Sequence, residues 1–149
     1  MEEVLERLQA QVGQEIGVSN WWEITQERID AFAEATDDHQ FIHVNPELAA
    51  QTPFGGTIAH GFLTLSLTVP MGAEVEFDVG NPQMAINYGL DKVRFPAPVP
   101  VDSRIRVRVT LDEVAEVPGG IQMKQTMTTE IEGEEKPAMV AERLSRLYY

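Results

Sequence analysis

The stretch that decides the fold is IAHGFLTLSLTVPMG, Ile58 to Gly72. Ile58, Ala59, Phe62, Leu63, Leu65, Leu67, Val69 and Met71 place apolar side chains on nearly every side of a helix. A helix that is apolar all round belongs inside a protein or a membrane. This one is interrupted by His60 and Pro70 and is too short to span a bilayer. The reading is therefore a buried core helix. Gly61 is tolerable near its first turn, and Pro70 predicts a kink or an early end, because proline lacks the N–H and clashes with the preceding turn.

A buried helix needs a cover, and the second half of the chain supplies one. Ile105, Val107, Val109 and Leu111 alternate with Arg104, Arg106, Arg108 and Thr110, the period of a half-buried strand. Pro118-Gly119-Gly120 is a turn. Ile121, Met123, Met127, Thr129 and Ile131 share one parity and predict the next strand; Gly133 turns the chain again, and 137–149 reads as a third. These three form an antiparallel meander. Ahead of them, Met84, Ile86, Tyr88 and Leu90 alternate until the parity shifts to Val93 and Phe95, which predicts a bulge near Gly89.

On the other side of the helix the chain is mainly helical. Val4, Leu5, Leu8 and Val12 predict an amphipathic helix over 2–12, and Val18 to Ile24 has strand composition. Thr25 is an N-cap for a helix ending near Thr36, with Ile24 and Ile29 at the positions of a hydrophobic staple. Asn45-Pro46 opens a short helix to about Gln51. One buried helix and four or five antiparallel strands give an α+β fold, the sheet wrapped around the helix. With 149 residues the chain is expected to form one domain, 1–149.

Composition narrows the function. Asp and Glu number 24 against 11 Lys and Arg, a net charge of −13, which repels phosphate backbones and anionic membranes. Nucleic-acid and membrane binding are not expected. Cysteine is absent, which removes thiol catalysis and thiolate metal sites and fits a reducing cytosol. The N-terminus MEEVLERLQAQVG is acidic and lacks an apolar export core, so a cytoplasmic location is expected. No GxGxxG or GxxxxGK[ST] occurs, which leaves nicotinamide, flavin and nucleotide chemistry without support.

Chemistry concentrates in residues 35–66, ATDDHQFIHVNPELAAQTPFGGTIAHGFLTLS, which hold all three histidines. Asp38 and His43 are spaced so that an irregular segment can turn both side chains toward one point. Sharing a water, they make an acid/base pair; alternatively Asp38 caps a turn and His43 is a satisfied buried histidine. His39 points elsewhere, toward the surface. A zinc site from His39, His43, His60 and Asp38 lacks the tight ligand spacing of known sites, so no metal is expected.

At the front of the core helix, Gly61 offers an amide with no helical partner, approachable because no side chain shields it. Close packing against the sheet is the other use of that glycine. His60 reads as support for the loop, and Ser66 as a hydroxyl bonded to a helix carbonyl, since no Gly-x-Ser-x-Gly surrounds it. Lys92, Arg94, Arg104, Arg106 and Arg108 cluster against the overall charge and suit an anionic ligand, or simply the wet face of two strands.

Asp38-His39-Gln40-Phe41-Ile42-His43 followed by Ile58-Ala59-His60-Gly61 resembles the signature of the MaoC-like, (R)-specific enoyl-CoA hydratases. DDHQFIHVNP, PFGGTIAHGFLTLSL and NYGLDKVRFPAPVPVDSRIRV are similar to its nodulation protein N-like branch, over about Gly13 to Val109. The resemblance implies a hot-dog fold, a homodimer, an acyl-CoA substrate and no cofactor. It implies that Asp38 and His43 hold the reacting water, that Gly61 donates to the enolate-like oxygen, and that Ser66 and His60 support the site. Lys92 and Arg94 would receive the coenzyme. His39-Gln40-Phe41-Ile42 departs from the Phe-Asn-Pro-Leu type of the better-studied hydratases. The reaction implied is hydration of a trans-2-enoyl-CoA to an (R)-3-hydroxyacyl-CoA. Two other readings share the fold: a hot-dog thioesterase, opposed by the lack of Asp or Glu between Ile58 and Ala73, and a non-catalytic acyl-CoA binding module or dehydratase subunit.

Overall fold

A computed structural model describes all of residues 1–149. The elements run α1 (Glu2–Gln9), β1 (Glu15–Val18), β2 (Trp22–Glu23), α2 (Gln26–Thr36), α3 (Phe41–Val44), α4 (Pro46–Ala49), α5 (Gly61–Ala73), β3 (Met84–Arg94), β4 (Arg104–Val117), β5 (Gly120–Ile131) and β6 (Met139–Tyr148). All six strands join one antiparallel sheet in the order β1-β4-β5-β6-β3, with β2 also pairing β4. The expected meander is β4, β5 and β6.

Strand parity puts Val107, Val109, Met127, Ile131, Met139 and Ala141 on the face that meets α5, where they pack with Leu63, Leu67 and Met71. Each of these large side chains contributes about 1.5–3 kcal/mol on burial. A second cluster seats α1: Leu8 packs with Leu111, Ile121, Met123 and Leu147. The opposite face of the sheet carries Arg104, Arg106 and Arg108 of β4. Arg104 pairs with Glu132, Arg106 with Glu130, and Arg108 with Glu15 and Glu130, while Trp21 stacks on Arg106. That settles Arg104 to Arg108 as a solvated, neutralised face.

The caps behave as composition dictates. The Thr25 hydroxyl accepts from the Arg28 N–H, and the Asn45 side chain from the Leu48 N–H. Ile24 and Ile29 are both buried in the main core, as the staple requires.

Several expectations need correction. The core helix starts at Gly61 rather than Ile58: residues 58–60 are extended, with Ile58 bridged to Pro100 and the Ala59 N–H bonded to the Val99 carbonyl. It does not stop at Pro70 but continues to Ala73, because Pro70 lies on the exposed side where a lost hydrogen bond costs little. Nor is it buried all round. Phe62, Ser66 and Val69 form an exposed stripe, Phe62 at 68 %. The strand expected at 18–24 is two short strands, since residues 19–21 leave the ladder. The first helix ends at Gln9, the short helix from Pro46 ends at Ala49, and β3 has two register shifts instead of one bulge. No helix is long and apolar enough to cross a membrane.

Candidate active site

Three elements converge at the N-terminal end of α5. Helix α2 ends at Thr36, and the left-handed backbone of Asp37 (φ 58°) reverses the chain and delivers Asp38. The segment expected to be irregular instead forms the single turn α3, which carries His43 inward. The extended residues 57–60 are pinned between the Ile42 carbonyl, which accepts from the Ile58 N–H, and residues 99–101 of the connection that leads into β4. They aim His60 and Gly61 at the same place.

Asp38, His43 and His60 each bring one ligand-capable atom within 4.8 Å of the others. His43 and His60 are buried, 7 % and 3 % exposed, whereas the Asp38 side chain is half exposed. The imidazole rings stack with centroids 3.8 Å apart and planes 24° from parallel, and Phe32 closes the far side of His60 at 4.9 Å. Stacked rings carry their in-plane lone pairs past one another. That geometry suits a water relay better than the convergent donors of a tetrahedral metal.

The backbone assigns the tautomers. His43 Nδ1 lies 2.7 Å from the Ile58 carbonyl, which only accepts, so Nδ1 carries the proton and Nε2 keeps its lone pair. By the same logic His60 Nε2–H donates to the Asp38 carbonyl at 3.0 Å, which fixes the loop from behind and leaves His60 Nδ1 without a partner. Burial pulls the His43 pKa below 6.5, and the His60 ring adds to this; the bond to Ile58 and the Asp38 carboxylate oppose it. His43 therefore rests neutral, with a free acceptor nitrogen, in one cluster with the Asp38 carboxylate.

The cleft around these groups has a volume of about 400 Å³ and is lined by Phe32, Thr36, Asp38, His43, His60, Gly61, Phe62 and Phe95. The Gly61 N–H donates to no protein group. A Cβ at this position would sit 3.2 Å from three atoms of the Phe95 ring, so the glycine lets Phe95, just beyond the end of β3, approach closely.

Asp38, His43, His60 and Gly61 thus come together. Ser66 does not join them: its hydroxyl donates to the Phe62 carbonyl at 2.8 Å and it lies outside the cleft lining. His39 stays at the surface, 3.5 Å from Glu34. Lys92 and Arg94 lie exposed on β3, the outermost strand, just before Phe95; neither forms an ion pair.

Sequence reading missed Gln26. Its amide N–H groups donate to the His43 carbonyl at 2.7 Å and to Asp30, and its oxygen accepts from the Thr57 hydroxyl. It ties α3 to the segment that leads into α5. A glutamine in the first turn of a helix carries no local signal of such a role. Phe32 and Phe95 were equally hidden, since each reads as ordinary core.

The family model described as a MaoC like domain matches residues 7–134. The chain is 51 % identical to 3-hydroxyacyl-thioester dehydratase Z of Mycobacterium tuberculosis, covering 93 % of this chain and 92 % of that protein. It is 50 % identical to nodulation protein N of Rhizobium leguminosarum bv. viciae, covering 89 % and 83 %. Among solved structures it is similar to the (R)-hydratase from A. caviae involved in PHA biosynthesis, with a TM-score of 0.74 at 22 % identity over 90 % of this chain and 96 % of that one.

Proposed function

Because the chain belongs to the MaoC-like hydratase and dehydratase family, we propose that it hydrates a trans-2-enoyl thioester of coenzyme A to the (R)-3-hydroxyacyl thioester, and the reverse, at the Asp38–His43 cleft. The observation that carries this reading is that a neutral imidazole with a free Nε2, a carboxylate and a free amide line one cleft.

The chemistry follows from the three groups. A water held between them donates one hydrogen bond to the Asp38 carboxylate and one to His43 Nε2. As its oxygen bonds to C3 of the enoyl group, His43 Nε2 takes the proton. Negative charge moves to the thioester oxygen, which accepts from the Gly61 N–H, a fixed donor needing no reorganisation. The imidazolium formed is favoured by Asp38 and returns its proton to C2 on the same face. Water is added across the double bond and the enzyme ends unchanged. No step requires a metal or organic cofactor.

Two further features support the substrate and the assembly. Lys92 and Arg94 are unpaired cations on edge strand β3, three residues and one residue before the cleft-lining Phe95, in a chain of net charge −13, which suits the phosphates of coenzyme A. Edge strand β3 exposes Met84, Tyr88 and Leu90, and α5 exposes Phe62 and Val69, a surface suited to a second copy of the chain.

The test is the rate of loss of enoyl absorbance from crotonyl-CoA, with chiral analysis of the product. Asp38→Asn and His43→Gln are each expected to lower turnover by roughly 100- to 10,000-fold with folding intact. Full activity in either variant, or an (S) product, overturns the proposal.

A further inference from the structure

At the opposite end of α5 from the cleft lies a second cavity, of about 400 Å³. The two share no lining residue, and on α5 their nearest lining residues, Phe62 and Val69, are seven helical steps apart, about 10 Å. The walls are mostly apolar, with Val69 and Phe77 among them, but the floor is not.

The anomaly sits on β6. Met139, Ala141, Arg143, Ser145 and Leu147 share the parity that faces the core, and four of the five are buried residues that parity can accommodate. Arg143 is a guanidinium in that row. Its register partner on β5 is Gln125, 6 % exposed, and Ser145 beside it is 2 % exposed. Arg143 Nε and Ser145 Oγ are both buried with no hydrogen-bond partner, and Arg143 forms no ion pair, although the chain carries 24 carboxylates. The other β6 arginine shows the contrast: Arg146, on the outward parity, donates to Gln122 and stacks on Tyr88. Gly72 opens the helix flank above Arg143, where a Cβ would lie 3.8 Å from Nη1. Burial lowers the Arg143 pKa, and no acidic group opposes the shift.

A half-buried charge without a counter-charge, its Nε fully enclosed, is a costly arrangement in a folded chain. Here the missing groups are an anion and two acceptors, and the space next to them is apolar and of small-molecule size. A single planar fork flanked by neutral donors matches one carboxylate better than a doubly charged phosphate. We propose that this cavity binds a carboxylate on a flexible alkyl body, a medium-chain fatty acid, its head on Arg143, Ser145 and Gln125 and its tail against Val69 and Phe77.

The test is calorimetric titration of the full chain with decanoate and with 1-decanol. Decanoate is expected to bind one per chain and roughly 10- to 100-fold tighter than decanol, the effect of one charge-assisted contact. Arg143→Met is expected to lose that preference, keep its decanol affinity and its crotonyl-CoA hydration rate, and melt no lower than the parent, because an unpaired charge has been removed. Ser145→Ala, a milder change, is expected to weaken decanoate alone. Equal affinity for the acid and the alcohol, undiminished decanoate binding by Arg143→Met, or no decanoate heat at millimolar concentration each overturns the proposal.

Discussion

Gln26→Leu tests the least visible part of the site. Leucine nearly conserves volume but removes the donor to the His43 carbonyl and the acceptor of the Thr57 hydroxyl. Thr57 is only 2 % exposed, so its hydroxyl loses a partner where water cannot readily substitute. An orphaned buried polar group costs about 1–3 kcal/mol. The bond to the His43 carbonyl is part-buried and its loss adds less, so we expect about 2 kcal/mol in all, a fall in Tm of about 6–8 °C for a chain of this size. The tie also sets how far α3 stands from residues 57–60, and hence the direction of His43 Nε2. A displacement approaching 1 Å at an acid/base pair costs up to roughly 100-fold in rate. We therefore expect kcat for crotonyl-CoA to drop by on the order of tenfold or more, with KM little changed. Thermal denaturation and steady-state kinetics on the same preparation measure both. A variant that melts earlier but turns over at the parent's rate would show that Gln26 holds the fold and positions nothing; parent values for both would refute the reasoning altogether.

Three other outcomes follow from the site. In the proposed mechanism His43 acts only when neutral, and its folded pKa lies below 6.5, so kcat/KM is expected to fall on the acid side with a midpoint under that value and to be flat just above it; a midpoint above 6.5 contradicts the burial argument. The same sign governs stability: the unfolded chain takes up the proton first, so denaturation free energy declines as pH falls from about 6.5 through the folded pKa, then levels off with respect to this group. Lys92→Ala with Arg94→Ala is expected to raise KM for the CoA substrate roughly three- to tenfold and to weaken its salt dependence, with kcat unchanged; an unchanged KM places the coenzyme elsewhere. Phe62→Asp, at the most exposed large apolar side chain, is expected to yield a monomer by sedimentation if α5 meets a second copy, and an unaltered sedimentation coefficient excludes that face.

Much was legible in advance because it depends on periodicity and on short spacing. The alternation of Ile105 to Leu111, the Thr25 and Asn45 caps and the Asp38–His43 interval all act within a few residues, where chain geometry alone limits the outcome. The sequence by itself determined the α+β layering, the central helix and the candidate acid/base pair. Tertiary structure decided how those residues are used. Whether His43 offers Nε2 depends on the Ile58 carbonyl, fifteen residues away; whether Arg104 to Arg108 remain available depends on Glu15, Glu130 and Glu132 across the ladder. Pro70 does not end α5, because a missing hydrogen bond matters only in proportion to burial, and its side of the helix faces outward. Such properties belong to pairs of groups far apart along the chain. Tautomer, charge neutralisation and exposure become defined only when the sheet closes over the helix and brings those pairs into contact.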